Sequence, residues 1–239
     1  MKIAGLQKNS LVDYAGKVAA VVFTPGCNFN CFYCHNRILL SGGDGINEYE
    51  CEEVLKLLDK RRGFLDGLVV SGGEPTLQKG LDDFLGEVKN LGYPVKLDTN
   101  GSLPGVVEAL VEKGLVDYIA MDFKAPYDRY SEICGVPVDI SSIKSSVEFL
   151  MMGKVEYEFR TTVVPQLGME DIVEIASSIK GAHLYALQHY RPVTEKAEVL
   201  DLRCLQTPHK KQVIENMADR VSKFVGKCII RGDGGNRHA

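Results

Sequence analysis

The sequence predicts an α/β fold built on a mostly parallel sheet. Short β-branched runs alternate with amphipathic helical stretches roughly six times along the 239 residues, a rhythm that calls for parallel strands joined by helical crossovers of one hand. Polar clusters stand at or just after the predicted strand ends, and in such folds that rim gathers loops into a site. No break in composition divides the chain, so one domain over residues 1–239 is expected. Periodicity leaves a doubly wound sheet and a barrel both open, and six units fall short of a closed eightfold barrel.

The elements follow in order. KVAAVVFTPG, residues 17–26, reads as a buried strand ending in a turn, and SGGDGIN, residues 41–47, as a flexible stretch in which Gly42, Gly43 and Gly45 form a hinge or a simple linker. A helix is expected over 48–62, a strand over 65–75 running into SGGEP, and a helix over 81–92 closed by Gly92. YPVKLDTNGS (93–102) is a strand ending in turn residues, followed by a helix over 106–113 and a strand in VDYIAMDFKAP, 116–126. Then come a helix over 140–153, a strand over 155–165, a helix over 169–180 and a strand in AHLYALQHYRP, 182–192. A last helix over 210–224 precedes the strand KCIIRG, 227–232.

Composition narrows the class. The net charge is −4 with no block of like charges, which argues against a nucleic-acid backbone as the main partner. The apolar run 18–23 is far short of the ~20 residues that cross a bilayer, so no membrane partner is expected. MKIAGLQKNS lacks the apolar core of a secretory signal. Seven cysteines, three of them clustered, then read as metal or redox chemistry in a reducing, cytoplasmic setting rather than as a disulfide framework.

Those three, Cys27, Cys31 and Cys34, lie in TPGCNFNCFYCHN, residues 24–36, spaced C-x3-C-x2-C. A structural zinc site needs a fourth ligand, which Cys51, Cys134, Cys204, Cys228 or His35 would have to supply. Zinc sites usually pair two such C-x2–4-C motifs, and no second pair exists here. A cubane 4Fe–4S cluster also normally takes four thiolates; with three, one iron keeps an open position, the mark of a catalytic rather than a structural centre.

The rim residues each carry a plain reading beside a functional one. In SGGEP, Gly72, Gly73 and Glu74 form either a tight turn with a solvated acid or a backbone cradle for a ligand. DTNG, with Asp98, Thr99 and Asn100, has the composition of an Asx turn. Asp122 and Lys124 in MDFK stand two apart and share a strand face, where buried charges must pair or meet a ligand. A lone histidine such as His189 is as often a satisfied surface or core residue.

The C-x3-C-x2-C loop, with Tyr33 before its last cysteine, resembles the radical S-adenosylmethionine superfamily. The resemblance implies a partial (β/α)6 TIM-like barrel of parallel strands with cluster and cofactor at the C-terminal strand ends. It implies that Cys27, Cys31 and Cys34 hold a 4Fe–4S cluster whose open iron is chelated by the amino and carboxylate groups of S-adenosylmethionine. One electron from the cluster then breaks a C–S bond, releasing methionine and a 5′-deoxyadenosyl radical. By the same resemblance Gly72, Gly73 and Glu74 meet the cofactor's amino group. Asp98, Thr99, Asn100, Asp122 and Lys124 line its ribose and methionine parts, with Lys124 on the carboxylate. Tyr33 and His189 complete the cofactor set.

Two further stretches resemble glycyl-radical-enzyme activating enzymes. LVDYAGK, residues 11–17, is similar to an Asp-Gly-Pro-Gly segment whose acid contacts the activated peptide; Asp13 and Gly16 match, while Tyr14 and Ala15 depart. Arg160 matches an arginine on the fifth strand, against the simpler reading of a strand-edge arginine facing solvent. Residues 3–36 most resemble proteins that activate anaerobic ribonucleoside-triphosphate reductase. The implied reaction is hydrogen abstraction from a glycine of a glycyl radical enzyme, with flavodoxin or ferredoxin as electron donor. Activation of pyruvate formate-lyase or another such enzyme, action on a small molecule or peptide, and an electron-carrier module are the competing readings.

Overall fold

The structure is a computed structural model and describes residues 1–40, 48–192, 201–232 and 237–238. Gly42, Gly43 and Gly45 lie outside the described residues. The chain forms two compact units interleaved in sequence: Met1–Asn28, Asn36–Ala120 and Gly153–Glu156 make the first, and Phe29–His35, Met121–Met152 and Tyr157–Ala239 the second.

In the first unit, β1 (Gly5–Ser10) pairs antiparallel with β2 (Ala19–Thr24). This β1 is absent from the sequence reading, because GLQKNS is polar and pairs on one side only, so it shows no apolar run. After the short helix α1 (Arg37–Leu40) comes α2 (Cys51–Lys60), shorter than the expected 48–62. Glu50 sets its start: the Glu53 carboxylate accepts the Glu50 amide at 3.1 Å in a capping box. β3 (Gly67–Gly72) lies parallel to β2, with Val21 opposite Val69 and Thr24 opposite Gly72. Helix α3 (Leu81–Asn90) leads to β4 (Val95–Thr99), parallel to β3, and α4 (Pro104–Glu112) begins on a proline, whose missing N–H costs nothing there. β5 (Tyr118–Asp122) divides between the units after Ala120. Val21, Val22, Leu68, Val69 and Val70 are all buried, the continuous apolar runs of strands covered on both faces, and in β4 Val95 and Leu97 are buried as well.

The second unit contains α5 (Tyr130–Cys134), a five-residue helix too short for periodicity to reveal, and α6 (Ile140–Met151), capped by the Asp139 carboxylate on the Ser141 amide. β6 (Glu156–Val163), α7 (Met169–Ser178) and β7 (Leu184–His189) form a parallel crossover unit. Helix α8 (Lys211–Val221) leads to β8 (Lys227–Arg231), parallel to β7, and β9 (Arg237–His238) returns antiparallel to β8. Phe159, Val163, Tyr185, Leu187, Ile172, Ile175, Ile214 and Met217 form its buried interior. The buried Glu158 carboxylate is held by a two-pronged ion pair from Arg231, 2.7 Å on each oxygen. Among the described residues no helix is long and apolar enough to cross a membrane.

Candidate functional site

In the first unit the rim is organised by one buried carboxylate. Glu74 follows β3, and its Oε1 accepts from the Thr76 amide (3.0 Å), the Thr76 hydroxyl (2.6 Å) and the Thr99 hydroxyl (2.8 Å). Its Oε2 accepts from the Asn100 amide at 2.7 Å. Burial pushes this carboxyl up, and the hydrogen bonds from Thr76, Asn100 and Thr99 oppose the push. SGGEP is thus no turn with a solvated acid: Glu74 ties the end of β3 to the DTNG turn. Within that turn Asn100 Oδ1 accepts the Ser102 amide at 2.9 Å, the Asx turn its composition suggests. Asn100 Nδ2 donates to Asn28 Oδ1 at 2.9 Å and lies 3.9 Å from the Cys27 sulfur. Cys27, Glu74, Thr99 and Asn100 therefore come together.

The two glycines before Glu74 are required by the chain's own backbone. A Cβ on Gly72 would stand 2.3 Å from the Thr24 amide nitrogen, and one on Gly73 only 2.0 Å from the Gly26 carbonyl oxygen. Here β3 closes onto the end of β2, with the Gly73 amide donating to Thr24 O at 2.8 Å and the Glu74 amide to Gly26 O at 2.8 Å. Asp98 is held by Lys96, whose Nζ also donates to the Asp13 carbonyl, both at 2.7 Å. Lys96 is buried, and the motifs of the sequence do not mark its contacts. The Asp13 carboxylate accepts from the Ser10 hydroxyl, so it closes its own turn. Tyr14, the departure from the Asp-Gly-Pro-Gly pattern, is a core residue packed with Ala19, Val21 and Val69.

In the second unit, the Cys34 amide donates to the Cys31 carbonyl at 3.1 Å, closing a turn around Phe32 and Tyr33. Cys31 is buried, and a hydrogen bond from the Cys134 thiol lowers it to about 7, within reach of the thiolate form a metal requires. The Asn30 amide donates to the Cys134 carbonyl at 2.9 Å, so the end of α5 packs directly on the cysteine loop. Spacing gave no sign of this, since 103 residues separate the two thiols (134 less 31). Tyr33 is buried edge-on to Phe32, and its hydroxyl has no hydrogen-bond partner among the described residues.

Asp122 and Lys124 share a face, as their spacing implied, and pair at 2.9 Å. Arg160 faces the same carboxylate, with Nε 2.9 Å from Asp122 Oδ1, so it is not a solvent-facing strand residue. Burial pushes Asp122 up, but Arg160 and Lys124 outweigh it and hold the carboxyl at about 2. Burial pulls Lys124 down, and Asp122 with its neighbours more than reverses this, leaving it firmly cationic. His189 ends β7 with its Nε2 buried and unpartnered among the described residues.

Among the described residues no three histidine, cysteine, aspartate or glutamate side chains converge on a single ion. A cubane cluster asks for something different, because each thiolate binds its own iron. The chemistry in each unit suits such a group: in the second, Cys31 is lowered toward thiolate, and in the first, the Asn100 amide beside Cys27 can donate to sulfur.

Residues 21–179 match the radical SAM superfamily, and the chain belongs to it. Membership implies a 4Fe–4S cluster and S-adenosylmethionine. The chain is 35% identical over 236 residues to a candidate glycyl-radical enzyme activating enzyme of Methanocaldococcus jannaschii, covering 96% of this chain and 95% of that protein. It is 27% identical over 234 residues to the pyruvate formate-lyase-activating enzyme of Clostridium pasteurianum, covering 89% and 94%. Among solved structures it is similar to TYW1 with a lysine–pyruvate adduct bound, with a TM-score of 0.63, 20% identity, and coverage of 90% and 76%. It is also similar to Streptococcus suis SuiB bound to S-adenosylmethionine, with a TM-score of 0.63, 16% identity, and coverage of 89% and 52%. At those identities the structural matches speak for the fold alone. They bear out the expected class, an α/β partial barrel of parallel strands.

Proposed function

We propose that this chain acts as one functional domain, a radical S-adenosylmethionine enzyme that installs a glycyl radical on a partner enzyme. The observation that carries the reading is the near full-length likeness to a candidate activating enzyme, 35% over 236 residues. The resemblance of residues 3–36 points to anaerobic ribonucleoside-triphosphate reductase as the partner, ahead of pyruvate formate-lyase or another glycyl radical enzyme. Flavodoxin or ferredoxin is the proposed donor, and the cytoplasm the proposed setting.

In this reading Cys27, Cys31 and Cys34 would hold the cluster, which when bound supplies one electron to the sulfonium of S-adenosylmethionine and so generates the hydrogen-abstracting 5′-deoxyadenosyl radical. The chain's own residues bind and orient. Lys124, kept cationic by Asp122, offers a charge to the cofactor's carboxylate. Backbone carbonyls at Gly72 and Gly73 supply acceptors for its amino group, with Glu74 fixing their positions from behind. Asp98, Thr99 and Asn100 line the ribose side, while Tyr33 and His189 offer a buried hydroxyl and a buried ring nitrogen that lack partners among the described residues. Asp13 and Arg160 are assigned to the partner peptide, whose glycine must be held close and away from water for abstraction.

The test uses anaerobically reconstituted protein with S-adenosylmethionine, a reductant and each glycyl radical enzyme of the same cell. A glycine-centred paramagnetic signal on one of them, lost in Cys31→Ala, is expected. Production of 5′-deoxyadenosine with no such signal on any partner would overturn the activase reading and leave the cofactor chemistry standing.

A further inference from the structure

Past the matched region 21–179, the short turn Leu202–Leu205 reaches back to the cysteine loop. We propose that Arg203 and Cys204 are positioning residues: they grip Phe32, the residue inside the Cys31–Cys34 turn, and so fix the spacing of those two thiols. The proposal rests on the reading of Cys31 and Cys34 as cluster ligands.

The grip has two contacts. The Arg203 guanidinium lies 4.2 Å from the centre of the Phe32 ring, and the Cys204 thiol donates to the Phe32 carbonyl at 3.1 Å. Each contact is braced. Asp201 starts the turn by accepting the Arg203 amide at 2.9 Å, and its other oxygen takes Arg203 Nη2 at 2.8 Å. Arg203 Nη1 donates to the Glu132 carbonyl at 3.0 Å, so the edges of the guanidinium are tied while its face is presented to the ring. The Arg203 carbonyl accepts from Gln166 Nε2 at 3.3 Å, and that of Cys204 from the Tyr190 hydroxyl at 3.2 Å. A turn braced internally by Asp201 and anchored to Glu132, Gln166 and Tyr190 therefore holds one loop residue by its ring and its carbonyl. Because the Cys34 amide closes on the Cys31 carbonyl around that residue, moving Phe32 moves both thiols. Leu202 and Leu205 on the same turn face outward, so the inward pair carries the contact.

The first measurement is hydrogen exchange of residues 29–35 in the cluster-free protein, which needs no activity. Arg203→Gln removes the stacked cation, Cys204→Val removes the donor, and Cys204→Ser keeps a donor. Exchange should rise about five- to thirtyfold in the first two, the scale of losing one such contact, and remain at wild-type in Cys204→Ser. Leu202→Ala, at a residue 77% exposed, should change nothing. In reconstituted protein the paramagnetic signature of the reduced cluster should shift in Arg203→Gln and Cys204→Val and be restored in Cys204→Ser. Unchanged exchange, or an unchanged signature, in both disruptive variants overturns the proposal. Should Arg203→Gln fail to fold by circular dichroism, the Cys204 pair decides alone. If wild-type protein takes up no cluster while the exchange pattern holds, the ligand reading fails and the grip on the loop stands.

Discussion

Thr99 donates its hydroxyl to Glu74 at 2.8 Å, and the next residue's amide takes the other carboxylate oxygen at 2.7 Å, so two successive strand ends are pinned to one buried acid. Glu74→Gln swaps an acceptor for an amide that faces existing donors. A loss of about 1–3 kcal/mol is expected, seen as a Tm lower by roughly 3–10 °C in cluster-free protein. An unchanged melt by circular dichroism would show that the acid does not hold the rim.

The Asp122 carboxyl has its folded pKa lowered, to about 2. A lowered acid contributes stability above its unfolded value and loses it as pH falls through the folded one, so the window here runs from about 4 down to about 2. Asp122→Asn should be less stable than wild-type near neutrality, because Arg160 and Lys124 lose their shared counter-charge. The gap between the two melting curves should narrow as pH falls through that window. A gap independent of pH would remove the ion pairs as its cause.

Cys134 hydrogen-bonds Cys31, which makes it a candidate for a fourth ligand. If one iron is left open for the cofactor, Cys134→Ala keeps about four irons per chain and still cleaves S-adenosylmethionine. Loss of iron on this substitution, matched by the loss in Cys31→Ala, would mark a fully thiolate-capped cluster and a carrier rather than an enzyme.

Lys124→Met should leave the iron content intact and raise the KM for S-adenosylmethionine by roughly 30-fold or more, as expected when one partner of a charged contact is truncated. A change confined to kcat would assign Lys124 elsewhere than to cofactor binding.

Much of the α/β rhythm was readable because buried parallel strands are written as unbroken apolar runs such as VVF and LVV. What escaped was what such runs do not encode. β1 is polar and edge-paired, and α5 spans barely more than a turn. At the site, Asp122 and Lys124 were found by the rule that strand residues two apart share a face. The same rule applied to KLDT finds the buried Lys96–Asp98 pair. Tyr14 interrupts the expected Asp-Gly-Pro-Gly pattern because its ring fills space under β2 and β3. The contacts of Cys134 and Arg203 with the cysteine loop are long-range, and no local spacing announces them.

At Gly73 the backbone by itself enforces the motif. Since any methyl there would collide with the Gly26 oxygen at 2.0 Å, a mutational library scored only for protein abundance should already exclude alanine at that position. Intolerance at Gly72 and Gly73 thus reports assembly of the strands, and cofactor recognition in this chain has to be read from substitutions that leave the backbone alone.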